Sequence, residues 1–279
     1  RELGQTFDIH AGGEDLIFPH HENEIAQSEA LTGRLFVRFW VHARFLLIEG
    51  EKMSKSLGNF FTLRDLVLKG HKPSSIRYLL SSVPYRNQLN FTFDGLRQAA
   101  ESVQRLRNFQ RRLESAQFPA GAREEMKQLA DETIARMRTS LEDDLNTAQA
   151  QGAIFDMVRQ VNSAADAGHV GEVDIPHLMK ALDTFDEIFA VLNDDDDRKM
   201  ARILDWAKAE GKSEQVSKEA IERATSGRVS DDEVHQKIGK MDEARRRRDF
   251  KTSDSIRDEL NHNGIAVEIT KDGVRWHRK

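Results

Sequence analysis

From residue 92 to residue 193 apolar side chains recur at three- and four-residue steps, and no other feature of the chain constrains its fold as tightly. Leu96, Ala99, Val103, Leu106 and Leu113 form the first stripe, and Met126, Leu129, Ala130, Ile134, Met137 and Leu141 the second. Ile154, Met157, Val158 and Val161 follow, then Leu178, Leu182, Phe185, Ile188, Phe189 and Leu192. This spacing gives each helix one apolar face. Four such helices joined by short polar breaks bury those faces against one another, which predicts an antiparallel bundle over 91–195. Met and Phe on the stripes are core residues, not a cofactor box.

The flanks differ. Residues 1–90 mix strands and helices: Phe7-Asp8-Ile9-His10 reads as a short strand and Ala11-Gly12-Gly13 as a turn. A helix starts near Pro19, carries Ile25, Ala26, Glu29 and Ala30, and stops at Gly33. Residues 43–48 read as a core strand. Thr62 caps a helix that Gly70 ends, and Pro73 opens another carrying Ile76, Leu79 and Leu80. Asn193-Asp194-Asp195-Asp196-Asp197 lacks the Gly and terminal Glu of an EF-hand loop and reads as a solvated linker running into a helix start. Residues 196–229 are expected to be a linker, and 230–279 a small α/β unit. That unit has helices through Ile238, Met241 and Ala244 and through Ile256 and Leu260. The strands Ile265–Ile269 and Val274–Trp276 follow, turning at Lys271-Asp272-Gly273. The fold class is mostly α with an α/β portion.

No apolar run approaches the roughly 20 residues that a membrane span requires, so no membrane is expected and the cytoplasm is the default compartment. The sequence opens Arg1-Glu2-Leu3, without Met or a signal peptide, and is expected to be a fragment or a processed form. Its net charge of −5 means that any RNA must be held by local basic patches. Zero cysteines exclude disulfides, iron–sulfur clusters and thiolate zinc sites made from this chain alone.

Two segments carry chemistry. Lys52-Met53-Ser54-Lys55-Ser56, continuing Leu57-Gly58-Asn59, follows the apolar run Phe45-Leu46-Leu47-Ile48. A loop hung from a strand places two ammonium groups against a polyphosphate, and its small residues let it move. The second segment runs from His10-Ala11-Gly12-Gly13-Glu14-Asp15 to Phe18-Pro19-His20-His21-Glu22-Asn23-Glu24. Its glycines let backbone approach a ligand, and an acidic residue nearby takes ribose hydroxyls. His20 and Glu24, four apart on a helix, share a face and offer one nitrogen and one oxygen ligand, or simply form a surface pair.

The lysine loop resembles the KMSKS signature of class I aminoacyl-tRNA synthetases. Phe7 through Ala30, with Lys52 to Asn59 at this distance, closely resembles the cysteinyl-tRNA synthetase family. The tail agrees: Arg245-Arg246-Arg247-Arg248-Asp249-Phe250, Asp254, Ile256-Arg257-Asp258-Glu259-Leu260, Gly264-Ile265 and Trp276. The likeness is weakest over 194–235, and Ala11 stands where the family usually has Gly.

This resemblance implies the C-terminal half of a Rossmann-type catalytic domain over 1–90, a tRNA-binding bundle over 91–195 and an anticodon-binding unit over 230–279. It implies ATP-dependent activation of L-cysteine and its transfer to tRNA-Cys, with Mg2+ accompanying ATP. Lys52 and Lys55 then stabilise charge on the phosphates, Asp15 faces the adenylate and His10 lines the amino-acid pocket. A zinc ion is expected on His20 and Glu24 with two cysteines that lie upstream in the family, as does the HIGH motif. Zinc favours a thiolate over a hydroxyl, which separates cysteine from serine. Arg105, Arg107, Arg111 and Arg112 on the bundle, and Arg245, Phe250 and Asp254 in the tail, are the implied RNA contacts. The intact enzyme is expected to be a monomer and this chain alone inactive. Two other roles fit the same sequence: a non-catalytic tRNA-binding fragment, or a relative that ligates cysteine to an amino-sugar inositol. The basic tail ending near Trp276 favours the tRNA enzyme.

Overall fold

The computed structural model describes residues 2–225, 231–263, 265–270 and 273–278. Gly264, Lys271, Asp272 and the 226–229 part of the expected linker lie outside the described residues. The chain begins with a βαβ unit. Strand β1 (Phe7–Gly13) pairs in parallel with β2 (Val37–Ala43), and α1 (Glu22–Thr32) connects them. Ile9 lies opposite Phe39, His10 opposite Trp40 and Gly12 opposite His42. The expected turn at Ala11-Gly12-Gly13 is therefore strand. Those glycines serve close approach instead, because a Cβ at Gly12 would stand 2.8 Å from His21 Cε1. Gly33, at φ 62°, ends α1 in the left-handed conformation that glycine adopts without cost.

The strand expected over 43–48 divides in two. Arg44 to Leu46 leave β2, and the chain re-enters a sheet as β3 (Leu47–Ile48), which turns into β4 (Glu51–Lys52). Glu49 and Gly50, at φ 51° and 84°, make the two-residue hairpin turn, whose positive φ at both positions matches the strand twist. Next come α2 (Leu63–Leu68), α3 (Pro73–Leu80) and β5 (Asn90–Phe91), which lies parallel to β3. Thr62 caps α2 as expected: its Oγ1 accepts from Asp65 N at 3.2 Å, and Asp65 Oδ2 accepts from Thr62 N at 2.8 Å. The Thr62 backbone and hydroxyl donors hold the Asp65 carboxyl below its usual range.

Four helices form the bundle, α4 (Phe93–Ser115), α5 (Glu124–Glu142), α6 (Thr147–Asp166) and α7 (Ile175–Phe189), and the four predicted stripes face inward except for Ile188, which is 41% exposed on the outer side of α7. Leu106, Met137, Ile154, Met157, Leu178, Leu182 and Phe185 are fully buried. The same core continues through Leu96, Leu79 and Ile76 into the helices that follow the lysine loop.

Residues 196–225 differ from the expected linker. They contain α8 (Asp196–Ala209) and α9 (Lys218–Thr225), and α8 packs on α2 and α3. Ser217 N donates to Leu68 O at 2.9 Å, which ties the start of α9 to the end of α2. The aspartate run is not solvated either. Asp196 is fully buried, and its carboxylate meets Arg107 Nη1 at 2.8 Å and Ser74 Oγ at 2.6 Å. Charge composition concealed this, because a buried carboxylate needs a cation that is distant in sequence.

The two helices and two strands expected near the end of the chain are present: α10 (Asp231–Arg246), α11 (Phe250–His262) and an antiparallel pair, β6 (Ile265–Thr270) with β7 (Gly273–Arg278). Val234, Ile238, Leu260 and Ile265 form its core, with Trp276 packed against it. No helix among the described residues is long and apolar enough to cross a membrane.

Candidate active site

The βαβ unit gathers four imidazoles and a carboxylate. In a strand alternate residues share a face, so His10 on β1 and Trp40 and His42 on β2 project from the same side toward the start of α1. His10 Nε2 meets Glu24 Oε2 at 2.9 Å, and His20 Nε2 meets Glu24 Oε1 at 3.4 Å. Glu24 thus joins the two histidines singled out in the sequence. His21, only 3% exposed, places Nδ1 2.7 Å from His42 Nε2, and its ring centroid lies 4.8 Å from those of His10 and Trp40. Burial, then the charges of His10 and His42, hold His21 below the usual imidazole range.

Ligand atoms of His10, His21 and Glu24 lie within 4.8 Å of one another, close enough to surround one cation. His20 is 61% exposed and borders the same carboxylate from outside. The donor set is nitrogen and oxygen, a chemistry that zinc accepts. His21, His42 and Trp40 are site residues that pattern reading missed. Trp40 and His42 have the period-2 spacing of one strand face, but their relation to His10 appears only in the β1–β2 register.

Gly12 makes the cluster possible. A methyl there would meet His21 Cε1 at 2.8 Å and Leu16 Cδ1 at 2.9 Å, closer than side-chain carbons approach. Gly12→Ala is therefore expected to displace His21 from His42 and to cost about 1–3 kcal/mol. Urea unfolding measures the loss, and the imidazole nitrogen NMR shifts report the broken pair. Unchanged shifts would show that the strand yields instead.

The lysine loop hangs from β4 on the second sheet. Lys52 Nζ lies 4.9 Å from the centroid of Phe45, and Lys55 Nζ 5.5 Å from that of Phe60. The two segments meet at Phe45, whose backbone N–H donates to Glu14 Oε1 at 3.4 Å while its ring underlies Lys52. Asp15, next to Glu14, is exposed on the short turn after β1.

The basic candidates separate. Arg107, 2% exposed, is consumed by Asp194 and Asp196 and is a structural residue, which corrects its expected place among the RNA contacts. Arg112 pairs with Asp166 at 2.6 Å, and Arg105 and Arg111 lie over the rings of Phe155 and Trp276. Arg105, Arg112 and Arg159 line a groove of about 630 Å³ between the bundle and the last unit. Arg245 lies in the last turn of α10, and Phe250 opens α11 with 59% of its surface exposed. Asp254 pairs with Arg257 at 3.1 Å on the same helix.

Residues 1–101 match the class I (C) tRNA synthetase catalytic domain, and residues 136–193 match the DALR domain. The LeuRS chain of a LeuRS-tRNA-LeuAMS ternary complex from Agrobacterium radiobacter shares the fold, with a TM-score of 0.50 and 17% identity over 67% of this chain and 27% of that one. A parallel βαβ unit, a lysine hairpin loop and a helical bundle in this order are those of a class I aminoacyl-tRNA synthetase.

Within that class the chain is similar over its whole length to cysteine–tRNA ligases. It is 60% identical to the cysteine–tRNA ligase of Koribacter versatilis and 48% identical to that of Solibacter usitatus, each over 99% of this chain. That of Protochlamydia amoebophila is 36% identical over the same share. The chain spans about half the length of these curated relatives, 56%, 53% and 52% respectively.

Proposed function

We propose that this chain supplies the lysine-loop half of a cytoplasmic, monomeric cysteine–tRNA ligase and acts with an N-terminal half that completes the catalytic domain. The observation that carries this reading is the lysine loop of the second sheet lying next to the histidine–glutamate cluster of the βαβ unit, the two linked through Phe45. The bare sheet supports the need for a complement. Parallel strands are ordinarily covered on both faces, yet Ile9 and Phe39, opposite one another on the face away from His10, are 64% and 66% exposed.

In this reading Lys52 and Lys55 leave the phenyl rings and contact the phosphates of Mg2+-bound ATP. The cysteine carboxylate attacks the α-phosphorus and pyrophosphate departs. Negative charge grows on the transferring and leaving oxygens, where two ammonium groups lower its energy most in a closed, water-poor site. No side chain acts as nucleophile; orientation and electrostatics supply the rate. Asp15 faces the adenylate, and His10, oriented by Glu24, lines the amino-acid pocket. His20 and Glu24 would hold zinc together with two cysteines of the N-terminal half. Zinc supplies a soft Lewis acid that selects a thiolate over serine's hydroxyl.

The bundle at 91–195 and the unit at 230–279 grip tRNA-Cys. Phe250 stacks an unpaired base, and Arg245 and Asp254 contact base edges beside it. The catalytic part is 1–90. Formation of cysteinyl-tRNA by this chain fused to its N-terminal half tests the proposal, with serine as the competing substrate. Charging of tRNA-Cys with cysteine and not serine is expected; binding of tRNA-Cys without charging would reduce the chain to an RNA-binding module.

A further inference from the structure

Asn59 closes the lysine loop from both ends. Its side-chain Oδ1 accepts from the backbone N–H of Ser54 at 2.7 Å, and its Nδ2 donates to the carbonyl of Lys52 at 3.1 Å. One amide therefore spans the two loop lysines, fixing the backbone that carries Lys52 on one side and the residue just before Lys55 on the other. Met53 packs against the hydrophobic core, and the rest of the loop is held by short internal bonds. Ser54 Oγ meets Ser56 Oγ at 2.7 Å, and Gly58, at φ 69°, returns its N–H to Lys55 O at 3.2 Å. Two lysines that act together on one polyphosphate must keep a set separation, and exposed side chains lose that separation when the backbone between them is loose.

We propose that Asn59 is a positioning residue that sets the spacing of Lys52 and Lys55. The proposal rests on the ATP chemistry assigned above. It commits the amide to two roles, an acceptor for Ser54 and a donor for Lys52, that different substitutions separate. Asn59→Asp keeps the acceptor and loses the donor; Asn59→Ala loses both.

The test has two arms. In the 279-residue chain, amide hydrogen exchange of Ser54 is read by NMR. Asn59→Ala is expected to speed it about tenfold or more, whereas Asn59→Asp leaves it near the parent rate. In the chain fused to its N-terminal half, cysteine-dependent ATP–pyrophosphate exchange is measured. Asn59→Ala is expected to lower kcat roughly tenfold to a hundredfold with KM for cysteine unchanged, and Asn59→Asp to recover part of the loss. Equal kcat for parent and Asn59→Ala, or unchanged Ser54 exchange, overturns the assignment. A rise in KM for cysteine that matches the fall in kcat overturns it as well, since that marks general damage. If the fused parent itself shows no exchange with cysteine, the functional reading fails. The hydrogen-exchange arm still decides whether Asn59 clasps the loop.

Discussion

Arg107→Ala is expected to lower the unfolding free energy by about 3–5 kcal/mol, the largest stability loss of any single substitution considered. The guanidinium is 2% exposed and all three of its nitrogens donate hydrogen bonds. Nε donates to Val191 O at 3.0 Å, Nη1 to Asp194 Oδ1 at 2.7 Å and to Asp196 Oδ2 at 2.8 Å, and Nη2 to Asn193 O at 3.0 Å. Asp196 in turn accepts from Ser74 N at 2.9 Å and Ser74 Oγ at 2.6 Å. Removing the cation leaves a fully buried carboxylate with only the Ser74 donors, and that uncompensated charge is the main cost.

The network joins α4 of the bundle to α3 behind the lysine loop, with the aspartate run between them. Lysine cannot replace the planar five-donor fork, so Arg107→Lys is expected to recover less than half of the loss. Urea unfolding monitored by circular dichroism measures both variants. A loss below about 1 kcal/mol for Arg107→Ala would place the pair in the range of solvent-screened surface bridges and refute the burial argument.

Lys55→Ala is expected to reduce the rate of adenylate formation about a hundredfold to a thousandfold in the completed enzyme, with KM for cysteine within twofold of the parent. The ammonium stabilises charge that appears only as the phosphoanhydride breaks, so its loss falls on kcat. Its resting contact with Phe60, at 5.5 Å and partly exposed, contributes at most about 1 kcal/mol, so folding is expected to change little. Cysteine-dependent pyrophosphate exchange reads the effect. An undiminished rate removes Lys55 from the chemistry.

The bundle was legible because its stripes are long and nearly pure: Leu178, Leu182, Phe185 and Phe189 announce one face of α7 without any knowledge of a partner. α8 was not, because its buried positions, Met200 and Ala207, sit in a helix crowded with Asp, Arg and Lys, and its apolar side is set by α2 and α3. Strand β2 escaped notice for a related reason. Arg38 and His42 interrupt its apolar character, and only pairing with β1 shows that Trp40 and His42 line a site. Residue chemistry within a short span was enough to single out Lys52, Lys55, His20 and Glu24, which lie at the end of β4, in the loop after it and around the start of α1. Pairings over long separations did not, and Arg107 with Asp196, or His21 with His42, become visible only once the chain is folded.

The central claim is that this chain holds one half of a cysteine-activating site. The most direct measurement titrates the 279-residue chain with its separately prepared N-terminal half and follows cysteine-dependent ATP–pyrophosphate exchange. Exchange is expected to be absent with either half alone, to rise to a plateau near one-to-one mixing, and to disappear when serine replaces cysteine. Exchange by this chain alone, or none at any ratio from halves that bind one another, would contradict the claim.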